Sequence, residues 1–527
     1  MIWQGWRCTA AAARRFGPVR GGSVPGGPAR KGAARAGAAR SAGLAMRCMA
    51  LATAAAVATG CAVGPDFARP TAPAPARLTA EPLPGATASA PGLAGDAQRF
   101  VEGLDVPARW WTLFGSAGLD ALVRRALAAN PSIDAARAAL RAADQLAVAQ
   151  RGLYYPNVQV GYLPSRNRNA IATISPTLAS GDPIYNLHTL QVSVGFVPDV
   201  FGANRRAVES LEAQAESQRF QLEATYLTLV ANVVAAAVQE ASLRAQIEAT
   251  RESIALNERL LAIVRGQQRG GAATGLDVAN QETLAAQARA ALPALDKQLA
   301  LQRDQIAALA GQLPADQPAE RFTLDALRLP AELPLTLPSR LVEQRPDVRA
   351  AEAQWRAANA QIGVAAAARL PQFALSAAYG GVATTFAQIF NPGDVFWTLG
   401  ASLAQTVFAG GSLRARQRAA EAAAEQAGAS YRLTAITAFQ NVADALAAIE
   451  ADARALAASV QAAEAARRGA RIAEQQLAAG LINPQPVLLA QQALQQAVVA
   501  QAQAQAARLS DTAALLQALG GGWWNRS

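Results

Sequence analysis

Few side chains in this sequence are equipped for covalent chemistry. Its 527 residues include one histidine, His188, and three cysteines, Cys8, Cys48 and Cys61. From Ala62 onward there is no thiol. That inventory builds no disulfide in the body of the chain, no zinc cluster and no Cys/His nucleophile pair. An enzyme working with carboxylates alone would need acids clustered in a pocket, and no stretch of sequence suggests one. His188 has no second histidine or nearby thiol to act with and is assigned no role. One thiol stands in a distinctive setting. Met46-Arg47-Cys48-Met49 carries a positive charge, Ala50 to Thr59 is a short apolar run, and Gly60-Cys61 closes it with small residues. This is the order of a secretory signal, and it is too short to span a bilayer.

Ala58-Thr59-Gly60-Cys61 resembles a bacterial lipobox, with Ala58 where Leu is usual. The resemblance implies a diacylglyceryl group on the Cys61 thiol and a third acyl chain on its α-amine. Three chains anchor firmly, since each buried methylene contributes roughly 0.8 kcal/mol. An ordinary secretory signal with a chance cysteine is the alternative. Ala62 follows the cysteine where retained lipoproteins carry Asp, and similarity to sorted lipoproteins then implies the outer membrane. Residues 1–45 are rich in Arg, Gly and Ala and read as an upstream extension, with Met46 or Met49 as the true start. Residues 1–60 hold nine basic residues and no acid, which leaves 39 basic against 38 acidic residues in the remainder. A nearly neutral body excludes nucleic acid as a partner, because that needs a basic face.

The elements around these residues repeat. Asn130-Pro131-Ser132-Ile133-Asp134 matches Arg345-Pro346-Asp347-Val348-Arg349 at an offset of 215, and the match continues to Pro156 and Pro371. Farther on, Asn232-Val233, Gly271 and Val278 match Asn441-Val442, Gly480 and Val487 at an offset of 209. An internal duplication of this length organises everything else.

Each copy holds two alternating segments. Asn157–Leu163 sets Val158, Val160 and Tyr162 against Asn157, Gln159 and Gly161. Thr189–Phe196 sets Leu190, Val192, Val194 and Phe196 against Thr189, Gln191, Ser193 and Gly195. Gln372–Gly380 sets Phe373, Leu375, Ala377 and Tyr379 against small and polar residues. Phe396–Ala404 does the same with Trp397, Leu399, Ala401 and Leu403. Period two gives each strand one apolar face. Such a face rests on a soluble core or on lipid. Strand length, aromatic residues gathered around the segments and a small polar opposite face favour lipid. Four strands cannot close a barrel, and lipid does not tolerate open edges, so several copies must share one barrel. The links Ser165–Leu187 and Gly381–Val395 are then extracellular loops.

Each copy also holds a long helix. The chain has no proline from Gly202 to Gly270, or from Gly393 to Asn483. Some 65–70 helical residues would extend roughly 100 Å, far beyond a globular domain. Alanine dominates, which favours helix and close helix packing. Turns at Gly270-Gly271 and at Gly480-Leu481 reverse the chain into returning helices, Leu276–Leu309 and Val487–Leu519. A spectrin-like rod would share these helices but not the strand pairs.

Five motifs bring these features together: Trp110-Trp111-Thr112-Leu113-Phe114-Gly115, Ala126-Leu127-Ala128-Ala129-Asn130-Pro131, Arg345-Pro346-Asp347-Val348, Phe408-Ala409-Gly410-Gly411, and Ala518-Leu519-Gly520-Gly521-Gly522-Trp523. With them the chain resembles, over about residues 61–524, the TolC-like outer membrane factors, specifically the NodT-type lipoproteins of tripartite RND efflux pumps. The resemblance implies a mainly α fold with transmembrane β. Four strands per chain enter a homotrimeric twelve-stranded β-barrel, continuous with a long α-helical periplasmic barrel. It also implies no cofactor, no metal and no chemistry, and a periplasmic adaptor and an inner membrane RND pump as partners. Relatives meet the adaptor through a Val-Gly-Leu-type tip. Gly480 and Leu481 fit its last two positions, and Gly270 and Gly271 stand at the matching place; turn geometry alone is the alternative. Asn441 stands where relatives often carry Glu.

The expected division follows. Residues 1–60 are a signal region, with 46–60 the signal peptide, and 61–115 an N-terminal tether and equatorial segment. Residues 116–311 and 339–518 are the repeats, 312–338 an equatorial linker and 519–527 a tail. The expected function is a passive outer membrane exit duct for drugs or toxic small molecules. A periplasmic hairpin adaptor and a type I secretion duct are the alternatives.

Overall fold

The computed structural model describes residues 62–69, 78–79, 81–168, 184–335 and 338–526. The signal region and Cys61 lie outside the described residues, as does most of the first inter-strand link. In chain order come β1 (Arg99–Glu102), α1 (Ala117–Ala129), α2 (Pro131–Arg151), β2 (Asn157–Arg168), β3 (Ile184–Phe196), α3 (Ala203–Arg269) and α4 (Gly275–Leu309). Then follow β4 (Glu332–Leu335), α5 (Pro338–Gln344), α6 (Pro346–Ala367), β5 (Gln372–Ala383), β6 (Val395–Ala404), α7 (Ser412–Ala478) and α8 (Pro484–Ala518).

The duplication holds residue by residue. α7 begins and ends 209 positions after α3, and α8 does the same after α4. α6 begins 215 positions after α2, and β5 begins 215 after β2. Both α2 and α6 open on a proline, whose missing N–H is harmless in the first helical turn. The residue before each proline makes the same tie. Asn130 Nδ2 donates to the Leu309 carbonyl at 2.8 Å, and Arg345 Nη1 donates to the Ala518 carbonyl at 3.0 Å. Both acceptors belong to the last residue of a returning helix, where carbonyls have no intrahelical partner.

α3 and α7 run 67 residues each, about 100 Å at 1.5 Å per residue. Glycine sets their limits. Gly271, Gly311, Gly480 and Gly520 all have positive φ, and each sits just past a helix end. At each, the next N–H reaches back to a carbonyl five residues earlier, as from Ala272 to Gln267 and from Leu481 to Gln476. This is the Schellman arrangement, which uses up orphan carbonyls and requires a left-handed residue. The helix after the first tip starts in a capping box of Thr274 and Asp277. The helix after the second starts at Asn483-Pro484, three residues before the start expected from the sequence, because Asn483 caps it and Pro484 fits its first turn.

The four long strands form one antiparallel sheet in the order β2-β3-β5-β6. The first strand pair is longer than its alternation suggested. Ser165 pairs with Leu187 and Arg168 with Ile184, so both ends of the expected loop belong to the ladder. The second link is shortened likewise, since β5 continues to Ala383 and Ala387–Phe390 form a 3-10 turn. Backbone pairing continues where side chains no longer alternate, because a hairpin ladder needs only its hydrogen bonds. His188, which falls between the expected loop ending at Leu187 and the expected strand starting at Thr189, therefore lies inside β3, facing Pro164 and Ala383.

β1 pairs with β4 in parallel, which joins the N-terminal segment to the linker between the repeats. Around this small sheet lies the main core, including Trp110, Phe114, Leu119, Phe322, Leu446 and Ile449. The segment before β1 is more than a surface strap: Gln98 is fully buried and donates to the Pro330 carbonyl and to Thr512.

Candidate functional site

Ladder register fixes which residues share a face of the four-stranded sheet, because directly opposed residues point the same way. Val158 faces Val194, Val160 faces Val192, and Tyr162 faces Leu190. Across the next ladder Val192 faces Tyr379, Val194 faces Ala377, and Phe196 faces Leu375. Across the last, Phe373 faces Leu403, Ala377 faces Leu399, and Tyr379 faces Trp397. The apolar positions singled out from the sequence thus form one continuous surface. Much of it is bare: Val160, Trp397 and Leu399 are 73%, 76% and 77% exposed, while Val194, Phe196 and Phe373 are half-buried. The opposite face pairs Gln159 with Ser193, Gly195 with Ser376, Ser376 with Gly400 and Ala378 with Thr398. Small polar side chains on that side leave room for water.

The wall has membrane dimensions. A strand of 12 residues such as β2 is about 40 Å long, and at a tilt of roughly 40° it rises about 30 Å, against an apolar band of about 25 Å in outer membrane barrels. Aromatic rings crowd its loop end, where Tyr162 meets Phe386 and Phe386 meets Phe390. There the Tyr162 hydroxyl lies 2.8 Å from His188 Nδ1. Phe201 and Phe373 meet at the helix end. Among the described residues β2 and β6 each have a neighbour on one side only, so the sheet is open at both edges.

The helices continue the wall. α3 lies along α2, α6 and, farther down, α4 and α8, while α7 lies along α6 and α8. At the α3–α6 contact, Ser210 and Ser217 donate to the carbonyls of Ala357 and Ala350, which holds the helices close. At the far end both hairpin tips are bare. Gly270, Gly271, Gly480 and Leu481 are all exposed, and nothing lies within 4 Å of where a Cβ on Gly271 or Gly480 would be.

The described chain starts beside the junction of sheet and helices. Val63 donates its N–H to the Phe201 carbonyl at 3.1 Å, and a Cβ on Gly202 would come 2.7 Å from Ala62 Cα. Arg206 on α3 is 5% exposed and grips this segment through Asp66 at 2.6 Å and the Gly64 carbonyl.

Midway down the helices, buried charge ties the N-terminal segment and the linker between the repeats to the long helices. Glu240 on α3 is fully buried and receives Arg303 of α4 at 3.0 Å and Arg244 at 2.6 Å. Arg303 also donates to the carbonyls of Pro318 and Glu320 in the linker. In the second repeat Arg508 of α8, fully buried, donates to the carbonyls of Ala94 and Asp96 and to Thr87. Burial lowers the Arg508 pKa. Nearby, burial and the adjacent Asp511 carboxylate push Asp452 up to about 7. Asn441 lines a surface cleft together with Arg345, Asp347, Asp444 and Asp511.

The family model of the outer membrane efflux protein matches residues 122–312 and 337–521, one repeat in each segment. The chain belongs to the outer membrane efflux protein family. It is 33% identical over 418 residues to the pyoverdine export outer membrane protein OpmQ of Pseudomonas putida, covering 79% of this chain and 88% of that one. It is 30% identical over 481 residues to the probable efflux pump outer membrane protein TtgC of Pseudomonas putida, covering 91% and 96%. Its fold matches that of the outer-membrane channel OprN with a TM-score of 0.78 and 27% identity, over 88% of this chain and all of that one. This efflux protein is therefore an outer membrane channel component with its helical barrel segment in the periplasm, in a family of channels rather than of enzymes.

The sequence displayed the sheet faces and the tips of this efflux protein, and the family resemblance implied its equatorial segments, but the charges that hold those segments were not legible. Arg303, Glu240 and Arg508 looked like ordinary charges on helices rich in them. Glu240 and Arg303 meet across 63 residues of sequence, and Arg508 reaches Ala94 across 414, separations for which the sequence carries no local signal. A buried arginine placed one helical turn from Thr512 could have been sought only once the repeats were aligned.

Proposed function

We propose that three copies of this chain close a twelve-stranded barrel, and that the barrel and its helical continuation form a passive exit duct for small molecules. The observation that carries this reading is the open four-stranded sheet with one continuous apolar face. Unpaired strand edges in lipid cost several kcal/mol per backbone group, and outer membrane barrels have about eight strands or more. A chain that contributes four strands needs sister chains to close them.

In this arrangement Val158, Val160, Tyr162, Val192, Val194, Phe196, Phe373, Leu375, Tyr379, Trp397, Leu399 and Leu403 face lipid, and the small polar face lines water. Cys61 carries the lipid anchor. The position of Ala62 beside Gly202 supports this, because it brings the start of the described chain to the sheet–helix junction. The exposed tips Gly270-Gly271 and Gly480-Leu481 meet a periplasmic adaptor, and an inner membrane RND pump supplies the energy. Relatives named for pyoverdine export and toluene efflux support small organic cargo.

The test is conductance in planar bilayers. The purified protein should give discrete channel steps and should stay with outer membranes after carbonate washing. Gly271→Ala and Gly480→Ala should leave those steps intact and weaken adaptor binding, since nothing but the partner crowds the tips. A protein that washes off and gives no steps would be an adaptor or scaffold and would overturn the reading.

A further inference from the structure

The internal repeat generates two sets of equivalent surfaces, and only one set is occupied within a chain. The 209 offset carries α3 onto α7, and the 215 offset carries α2 onto α6. α3 lies along α6 inside the chain, whereas their repeat mates α7 and α2 have no comparable contact with each other. The same holds for the sheet: β3 pairs with β5, while their mates β6 and β2 are its two open edges.

At the occupied junction, Arg356 of α6 forms an ion pair with Glu216 of α3, both about one-third exposed. Carried across the repeat, these positions are Arg141 on α2 and Glu425 on α7. Both residue types are retained, in the same orientation. Both side chains are exposed, and neither has an ion-pair partner among the described residues. Seven residues along each helix the same relation sets Arg432 of α7 opposite Asp134 of α2, again with opposite charges. The surface around the pair is ready for close approach as well. Ala350, Ala353 and Ala357 are buried against α3, and their mates Ala135, Ala138 and Ala142 on α2 are all exposed.

We propose that α2 of one copy docks on α7 of the next copy as α6 docks on α3 within a chain, and that Arg141 pairs with Glu425 across this seam. The inference rests on the trimeric reading and adds to it the residues that join the chains. Between copies the pair serves assembly in one register. An ion pair at a helix seam adds modest affinity, while like charges in its place are repulsive and select against the wrong match.

The experiment uses the full chain in detergent. Native mass spectrometry of the unaltered protein comes first, and a single copy there would remove the trimeric reading itself. With three copies established, Arg141→Glu and Glu425→Arg are made separately and co-expressed under different tags. Each variant alone places like charges at every seam, and a mixed trimer restores opposite charges at two of its three seams. Mixed trimers should therefore exceed the random proportion, and the double variant should recover the dissociation temperature lost by the singles. Should a single variant yield no trimer by itself, co-expression still reads the seam, because complementary chains rescue each other. Arg356→Glu, whose partner lies in its own chain, should not bias mixing. Random mixing of the two single variants in a protein that is still trimeric, or no recovery in the double variant, would place the seam elsewhere and overturn the proposal.

Discussion

Gly202 and Gly411 stand at the same point of the two repeats, both left-handed, yet their surroundings differ. Ala62 lies against the first, and nothing lies within 4 Å of where a Cβ on the second would be. The same contrast recurs down the molecule. Asn130 and Arg345 make one tie with different side chains. Glu240 and Arg303 occupy positions whose mates in the second repeat are Ile449 and Thr512. Leu243, 2% exposed, has Asp452 as its mate. Backbone length and turn positions are kept between repeats, and side chains are free to diverge. A wall built from paired repeats can therefore have a near-uniform frame while its two halves grip different segments, the linker in one and the N-terminal segment in the other.

The largest expected effect tests whether the halves share one wall. Leu190 and Leu399 are repeat mates on the apolar face. Arginine at either should cost about 2–4 kcal/mol per copy if that face meets the middle of the bilayer. Three copies multiply the loss, so Leu190→Arg and Leu399→Arg should both abolish the outer membrane trimer on semi-native gels. Thr398→Arg, on the opposite face, should leave it assembled. Unequal results for the two leucines would mean that the repeats do not form one continuous surface.

A smaller effect separates the two glycines. Alanine at Gly411 should cost about 1–2 kcal/mol from the left-handed backbone alone. Gly202→Ala should cost more, because its methyl meets Ala62 as well as the same backbone penalty. Thermal unfolding of the two variants side by side measures the difference, and equal losses would mean that the N-terminal segment does not hold its place.

Most of the frame was legible in the sequence, for identifiable reasons. Alternation survives in Val158-Gln159-Val160 because one face must be apolar whatever surrounds it, and glycines such as Gly271 and Gly480 mark turns that no other residue makes cheaply. The end of β2 was not legible, since Ser165 to Arg168 pair in the ladder without apolar alternation. Nor was the β1–β4 ladder, because four-residue strands carry no period and the partners lie 233 residues apart. Buried charges such as Arg508 were hidden for the same reason: what buries them is distant in sequence.

A further effect concerns pH. The Asp452 carboxyl, raised to about 7, favours its neutral form in the folded chain. Between the ordinary carboxylate range and pH 7 the unfolded chain gives up this proton first, so stability falls as pH rises and levels off above 7. Asp452→Asn should accordingly unfold at a higher temperature than the unaltered protein at pH 8 and show no advantage near pH 4. An advantage of the same size at both values would mean that Asp452 ionises normally.

An incomplete wall of four strands must find its missing staves in sister chains. The most direct measurement is the mass of the protein particle extracted from outer membranes in mild detergent. Three chains per particle are expected. A monodisperse single chain, soluble without detergent and with Val160, Trp397 and Leu399 shielded from solvent, would contradict it.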